Sequence, residues 1–206
     1  MNTTILYYKQ NAKSLVQRYE SANVDEVHKL LLEVFQKNSF LLEIGCGSGR
    51  DANFMFNNDY KLLGIDASKE MINEAKITHP VLENSLQVIT IPDELNFEDN
   101  KFDGIYSIAT LMHLEKDKVE RTIEKVHYTL KEKGIFLFSV SIQRDDINVN
   151  NQDINGRYFL TMDKKEWLNI CHSKGFKTIK IITTNDGLNR KGIVWLTCVM
   201  EKTVDQ

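Results

Sequence analysis

Residues 41–52 read LLEIGCGSGRDA, and the fold of the chain can be predicted outward from this stretch. The apolar run Phe40–Ile44 is too short for a helix and predicts a β-strand. Three glycines, Gly45, Gly47 and Gly49, follow the strand, and a helical pattern begins after them. A strand, a glycine turn and a helix bring backbone N–H groups close to a ligand. This segment alone leaves a dinucleotide, a phosphate and another adenosyl ligand open.

Size and charge narrow the class of protein. The chain has 206 residues, 42% of them hydrophobic, which predicts one domain spanning residues 1–206 with a substantial core. Residues from about 5 to 37 are expected to form an N-terminal helical cap. The net charge of −3 and the lack of a basic block disfavour nucleic acid as a partner. The oligomeric state is not predicted.

The cysteines and the apolar runs predict a location. Cys46, Cys171 and Cys198 show neither metal-ligand spacing nor a disulfide framework, which is typical of the reducing cytoplasm. No apolar run approaches the ~18 residues of a membrane span, and Met1–Thr4 does not begin a signal peptide. We therefore expect a cytoplasmic protein without a membrane partner and without a bound metal.

Hydrophobic periodicity divides the rest of the chain into alternating helices and strands. Helices are predicted at 7–20, from Asp25 onward, after the glycine turn to about 58, at 69–78, at about 117–131 and at 162–174. Strands are predicted at 40–44, 60–65, 86–91, 102–108, 135–142, 176–184 and 192–201. The polar residues 143–155 predict a long loop that is either a lid or disordered. This order predicts an α/β fold, a doubly wound, mostly parallel sheet of seven strands with an antiparallel C-terminal hairpin.

In such sheets a ligand binds at the carboxyl ends of the strands, beside the first strand. Asp66 ends the second predicted strand, about 20 residues after the glycine turn, where a carboxylate accepts hydrogen bonds from two ribose hydroxyls. The alternative is that Asp66 caps the following helix. Ser68 is also suited to cap that helix.

Four segments together resemble one family. They are EIGCGSG at 43–49, GID at 64–66, LNFEDNKFDGI at 95–105 and LMHL at 111–114. In this order and spacing, the chain from about Tyr7 to Gly134 resembles the class I S-adenosylmethionine-dependent methyltransferases. The resemblance implies the Rossmann-like methyltransferase fold and S-adenosylmethionine as cofactor. A nicotinamide cofactor fits less well, because Glu43 lies inside the strand and Asp51 and Asn53 follow Gly49 in place of a further glycine.

The resemblance also implies a set of cofactor-binding residues. Glu43 would orient the methionine ammonium, Gly45 and Gly47 would let the backbone pass close to the ligand, and Asp66 would bind the ribose. The remaining positions are Tyr19 in the cap, Cys46 in the turn, Ala67 beside the adenine, and Ser107, Ile108 and Ala109 near the sulfonium. Ile91 takes the place where the family often has an acid for the adenine amino group. Arg50 and Asp51 either continue the motif or tie the loop to neighbouring elements.

The acceptor side is less defined. His113 follows the fourth strand and is a candidate general base, with a packed histidine as the alternative. Arg157 and Tyr158 are candidate acceptor-binding residues, and Arg157 would pair a carboxylate or phosphate unless it is a surface arginine. Ser107 to Thr110 lack the Pro-Pro-aromatic signature of amino-methylating nucleic-acid enzymes, which favours a small-molecule acceptor. The alternatives are a tRNA or carrier-protein methyltransferase and a catalytically silent, cofactor-binding partner subunit.

Overall fold

The computed structural model describes residues 3–186 and 190–203, so three residues of the connection predicted between the last two strands lie outside the described part. The helices are α1 (Thr3–Glu20), α2 (Asp25–Val34), α3 (Arg50–Phe56), α4 (Lys69–Thr78), α5 (Lys116–Thr129) and α6 (Lys164–Ser173). The strands are β1 (Phe40–Ile44), β2 (Lys61–Asp66), β3 (Leu86–Val88), β4 (Phe102–Ile108), β5 (Leu130–Arg144), β6 (Phe176–Asn185) and β7 (Ile193–Lys202).

These strands form one seven-stranded sheet in the order β3-β2-β1-β4-β5-β7-β6. The first five strands pair in parallel, and β7 pairs antiparallel with both β5 and β6. The chain runs outward from β1 to β3 and then returns to place β4 on the other side of β1. The crevice between β1 and β4 is therefore the switch point at which such sheets bind ligands. The predicted doubly wound sheet with its antiparallel hairpin is confirmed.

Helices cover both faces of the sheet because neighbouring strand residues point to opposite sides. Leu42 lies in a core with Val119 of α5 and Trp167 of α6. Leu41 lies in a second core, to which α2, α3 and α4 contribute buried residues such as Met55. The Trp167 ring is fully buried, with its centroid 5.6 Å from that of Phe138 on β5. The two cores hold β1, and with it the glycine turn, in a fixed position.

The N-terminal helix α1 lies outside these two cores. Its buried residues Ala12, Leu15 and Val16 pack against Met71 of α4 in a small cluster of their own. The helix thereby lies beside α4, with the Tyr19 ring next to Gly47 of the glycine turn.

Two strand boundaries differ from the prediction. The third strand was expected to continue to Ile91 but ends at Val88, because β2 ends at Asp66 and offers no further partner. The fifth strand was expected at 135–142 but covers Leu130–Arg144, because Leu130 pairs with β4 and Arg144 pairs with β7. Both boundaries are set by a partner strand distant in sequence.

The loop predicted at 143–155 consequently begins after Arg144. Its backbone is held by its own polar side chains. Asn148 Oδ1 accepts hydrogen bonds from the N–H groups of Asn150 and Gln152, at 2.8 and 3.1 Å. Asp153 Oδ1 accepts from the backbone N–H of Arg157 at 2.9 Å. The Asn and Asp residues that suggested disorder thus fold the loop into a sequence of tight turns.

Candidate active site at the carboxyl edge of the sheet

The glycine turn joins β1 to α3, and its three glycines adopt positive φ angles: 77° at Gly45, 53° at Gly47 and 78° at Gly49. The reason for a glycine differs among them. A Cβ on Gly45 would overlap the side chain of Thr110, which packs directly on the turn. A Cβ on Gly47 would meet its nearest neighbours, among them the Tyr19 ring, only at 3.9 Å. Of the glycines that the sequence singled out for ligand approach, Gly47 has the space and Gly45 is required for packing.

Asp66 connects this turn to the start of α4. Its Oδ2 accepts the N–H of Gly47 at 3.1 Å, and its Oδ1 accepts the N–H of Ser68 at 2.8 Å. The helix itself is capped by Ser68, whose hydroxyl accepts the N–H of Met71 at 3.3 Å. Asp66 is thus not the cap of α4. It fixes the chain before the helix, and its carboxylate retains acceptor capacity for a further donor.

The surroundings of Asp66 only partly compensate the burial of its carboxylate. Burial raises the pKa of Asp66, and the backbone N–H groups of Ser68, Gly47 and Ala67 counteract this in part. The side chain is half-buried at the crevice. Two hydroxyl groups of a ligand would complete its coordination, which is the geometry expected for ribose.

Glu43 lies beneath the turn, only 2% exposed, and accepts the Tyr106 hydroxyl at 3.2 Å. Burial raises the pKa of Glu43 well above its ordinary range, and the charge of Asp51 adds to this effect. Burial therefore favours the neutral, protonated form of this carboxyl, which holds the turn from beneath.

Arg50 ties the turn to the N-terminal helix. Its guanidinium donates to both carboxylate oxygens of Asp51, at 2.9 and 3.0 Å, and to the backbone oxygen of Tyr19 at 2.9 Å. Asp51 Oδ1 also lies 2.9 Å from His28 Nε2, and the His28 ring stacks on Phe54 with centroids 3.8 Å apart. The interpretation of Arg50 and Asp51 as ties between the loop and its neighbours is therefore confirmed.

The end of β4 forms the opposite wall of the crevice. Ser107 is fully buried and donates its hydroxyl to the backbone oxygen of Ile44 at 3.0 Å, so its side chain joins β4 to β1. Ile108 and Ala109 are half-buried, and Ala109 has a φ of 58°. At this end of the sheet, backbone and apolar groups face the crevice.

Three other predicted positions have different surroundings. The Cys46 thiol is buried against Gly64, and burial raises its pKa well above the ordinary value. Ala67 is half-buried directly after Asp66. Ile91 lies beyond the end of β3, half-buried against the core that contains Trp167.

His113 lies in a short 3₁₀ turn, Leu111–His113, after β4. Its Nδ1 is 2.7 Å from the backbone oxygen of Tyr158, and its Nε2 is 3.3 Å from the Tyr8 hydroxyl. Because a carbonyl only accepts, Nδ1 carries the hydrogen, and Nε2 of the neutral ring accepts from Tyr8. Burial lowers the pKa of His113 to about 4, so the ring is neutral at pH 7. No pattern in the sequence indicates that Tyr8 reaches this histidine.

Arg157 is not a surface arginine. Its guanidinium donates to Asp153 Oδ2 from Nε at 2.9 Å and from Nη2 at 2.6 Å, and both side chains are largely buried. It also lies over the Tyr7 ring, 5.0 Å from the centroid. The charge of Arg157 is therefore already compensated within the protein.

The described residues include neither a metal-binding cluster nor a membrane-spanning helix. Among residues 3–186 and 190–203, no group of three or more His, Cys, Asp or Glu side chains is arranged to hold a metal ion. In the same part of the chain, no helix is both long and apolar enough to cross a membrane.

Known proteins are similar to this chain over the segment that contains the crevice. The family model of the methyltransferase domain matches residues 42–138, which extend from β1 into β5. An uncharacterized methyltransferase of Synechocystis sp. is 27% identical over 128 residues, 60% of this chain and 59% of that protein. Carboxy-S-adenosyl-L-methionine synthase of Campylobacter concisus is 29% identical over 120 residues, 57% of this chain and 51% of that protein. The matches span only half to three fifths of these relatives.

The whole fold also has solved counterparts. The 1,6-didemethyltoxoflavin-N1-methyltransferase of Burkholderia thailandensis superposes with a TM-score of 0.75 at 16% identity. The superposition covers 97% of this chain and 88% of that one. At this identity the likeness concerns the fold, including its terminal strands.

Proposed function

We propose that this chain, which belongs to the class I S-adenosylmethionine-dependent methyltransferase family, transfers a methyl group to a small-molecule acceptor by in-line displacement. The observation that carries the proposal is the Asp66 carboxylate, bonded to the N–H of Gly47 at the switch point of the sheet. In this contact, a carboxylate that can accept hydrogen bonds from ribose hydroxyls is bonded to a glycine that lets a ligand approach the backbone closely.

The residues around the crevice fit the cofactor. When bound, S-adenosylmethionine supplies a methyl group activated by a sulfonium centre. We assign the remaining acceptor capacity of Asp66 to the ribose hydroxyls, and the face of Gly47 beneath the Tyr19 ring to the ligand chain. Glu43 would favour the methionine ammonium through the turn above it, and Ala67 would lie beside the adenine. Gly45 and Cys46 support the turn from below.

The wall opposite Asp66 would enclose the reacting group. We assign the backbone of Ser107, Ile108 and Ala109 to the methionine side, and the half-buried Ile91 to an apolar contact with adenine. An apolar wall and a fixed turn exclude water and align donor and acceptor, which together supply much of the rate of a displacement reaction.

His113 is the polar group on the acceptor side. With a pKa of about 4, its ring is a weak base that cannot retain a proton at pH 7. We therefore assign it the role of a positioning residue: Nε2 accepts the Tyr8 O–H, Nδ1 donates to the carbonyl of Tyr158, and the proton that the acceptor loses passes to solvent as it reacts. Tyr158 acts in this assignment through its carbonyl, and Arg157 through the loop it holds with Asp153.

A small molecule is the acceptor that the composition and the fold favour. The net charge is −3, and the buried Arg157 on this side is already paired with Asp153, which disfavours a polyanion. The Burkholderia structure contains the small molecule 1,6-didemethyltoxoflavin together with S-adenosylhomocysteine. Three free, buried cysteines favour a reducing compartment such as the cytoplasm.

Titration calorimetry tests the cofactor assignment. We expect the purified chain to bind S-adenosylmethionine and S-adenosylhomocysteine with micromolar affinity and not to bind NAD. Asp66→Asn should weaken both by more than tenfold, since a neutral amide offers one acceptor oxygen in place of two. Ser68→Ala is the matched control. It removes the cap from the same turn, costs about 1 kcal/mol of stability, and should leave both affinities within twofold. Equal affinity in the Asp66 variant would refute the ribose assignment, and binding of neither ligand by the wild type would favour the silent partner subunit.

Labelling tests the acceptor class. The chain is incubated with methyl-labelled S-adenosylmethionine and a cell extract separated into low-molecular-mass, RNA and protein fractions. Label in the low-molecular-mass fraction supports the proposal. Label in the RNA or protein fraction would overturn it in favour of a tRNA or carrier-protein substrate.

A further inference from the structure

Tyr8 lies in the second turn of α1, and its ring contacts the acceptor side of the crevice. Its hydroxyl is 3.3 Å from Nε2 of His113, and the two rings meet edge to face with centroids 5.9 Å apart. The contact joins residues that are 105 positions apart in the chain. The contact is made by two side chains and is not part of the backbone hydrogen bonding of a helix or strand.

The direction of this hydrogen bond follows from its surroundings. Nδ1 of His113 must donate to the carbonyl of Tyr158, which leaves Nε2 as an acceptor for the Tyr8 O–H. The charged groups nearest the ring are the guanidinium groups of Arg157 and Arg144 and the carboxylate of Asp153. The two cations oppose protonation of the imidazole, while Asp153 favours it more weakly. The ring is thus held neutral and in one tautomer.

The same hydroxyl interacts with Arg157, whose guanidinium is fixed by Asp153 and lies over the neighbouring Tyr7 ring. Burial raises the pKa of Tyr8, so the phenol remains protonated and available as a donor to His113. A single hydroxyl therefore links α1 to the turn after β4 and to the loop that precedes α6.

Further contacts show that α1 is attached at both ends. Near its start, the Thr4 hydroxyl accepts the N–H of Tyr158 at 2.8 Å. At its end, the carbonyl of Tyr19 accepts from Arg50 of the glycine turn at 2.9 Å. Between these points, the Tyr19 ring covers Gly47.

We propose that Tyr8 is a positioning residue, whose hydroxyl orients the imidazole of His113 and latches α1 over the crevice. The latch part of this inference rests on the proposed function, because it assumes that a ligand lies beneath α1. The orientation of His113 does not depend on that assumption.

The experiment uses Tyr8→Phe, which removes only the hydroxyl. Tyr60→Phe is the matched control, because the Tyr60 hydroxyl donates to the carbonyl of Phe35 at 2.7 Å, among buried residues away from His113. ¹⁵N-histidine NMR, with His113 assigned through His113→Gln, reports the tautomer and the hydrogen bonding of each ring nitrogen. In Tyr8→Phe we expect the ¹⁵N resonance of Nε2 to move to the position of a ring nitrogen that accepts no hydrogen bond, while Tyr60→Phe leaves it unchanged.

Stopped-flow chase of bound S-adenosylhomocysteine reports the latch. We expect release at least fivefold faster from Tyr8→Phe and from His113→Gln, and within twofold of wild type from Tyr60→Phe. An unchanged Nε2 resonance in Tyr8→Phe would overturn the orienting role. An unchanged release rate in both latch variants would overturn the latch. A wild-type chain that binds no S-adenosylhomocysteine would refute the proposed function and the latch, while the NMR result would still decide the orienting role.

Discussion

The glycine turn allows a prediction in which three identical substitutions have three different results. Gly45, Gly47 and Gly49 all have φ between 53° and 78°, so an alanine at any of them incurs the same left-handed backbone cost of about 1–2 kcal/mol. The three variants differ in the atoms that the added methyl group would contact. At Gly49 it meets Ala75, His79 and Leu82 at 3.4 Å, which is ordinary contact.

At Gly45 the methyl group has no room. It would lie 2.7 Å from Cβ of Thr110 and closer still to the two branches of that side chain. Thr110 is β-branched and cannot turn both branches away, so overpacking adds about 1–3 kcal/mol to the backbone cost. For a chain of this size each kcal/mol corresponds to about 2–4 °C in Tm. We expect Gly45→Ala to melt about 4–20 °C below wild type, and the other two variants about 2–8 °C below.

Ligand affinity should rank the variants differently. The methyl group of Gly47→Ala would occupy the space between the turn and the Tyr19 ring, where the proposed ligand passes. We expect this variant to lose more than tenfold in affinity for S-adenosylhomocysteine, while Gly49→Ala stays within threefold. Scanning calorimetry and titration calorimetry on the same preparations give both quantities. If Gly47→Ala bound as tightly as Gly49→Ala, the ligand would not pass over Gly47 and the assignment of the crevice would be wrong.

Two further predictions concern buried polar groups. Because burial raises the pKa of Glu43, the folded state binds a proton that the unfolded state has lost, and stability falls as the pH rises above the ordinary glutamate value. Glu43→Gln removes this dependence, so relative to wild type its stability in urea unfolding should increase as the pH rises above the ordinary glutamate value, by up to about 1.4 kcal/mol for each pH unit; parallel curves would contradict a raised pKa. Ser107→Ala removes the hydrogen bond to Ile44 and should cost about 1–2 kcal/mol in the same assay. Its affinity for S-adenosylhomocysteine should be unchanged, and a tenfold loss would mean that the hydroxyl faces the ligand.

The parts of the site that the sequence predicts are those determined by neighbouring residues. The strand before Gly45, the cap at Ser68 and the position of Asp66 at the end of β2 all follow from patterns within a few residues. Periodicity also predicts the number of strands and their positions along the chain, because each must bury a continuous apolar segment.

The parts that it does not predict depend on contacts between distant residues. Thr110 lies 65 residues from the Gly45 that it confines, and Tyr8 lies 105 residues from His113. The end of β3 depends on where β2 stops, and the length of β5 depends on β4 and β7. Arg157 could be read as an anion-binding or a surface residue, and only the folded loop shows that Asp153 already binds it.

The attachment of α1 at both ends has a consequence for how two ligands influence each other. Tyr8 and Tyr19 are 11 positions apart on one helix, or about 16 Å along its axis, and a helix of this length moves as a rigid rod. A ligand that shifts the Tyr19 end also changes the distance between Tyr8 and His113. Under the proposed function, we therefore expect cofactor and acceptor to be energetically coupled, and reciprocally so: each should alter the affinity of the other by the same factor.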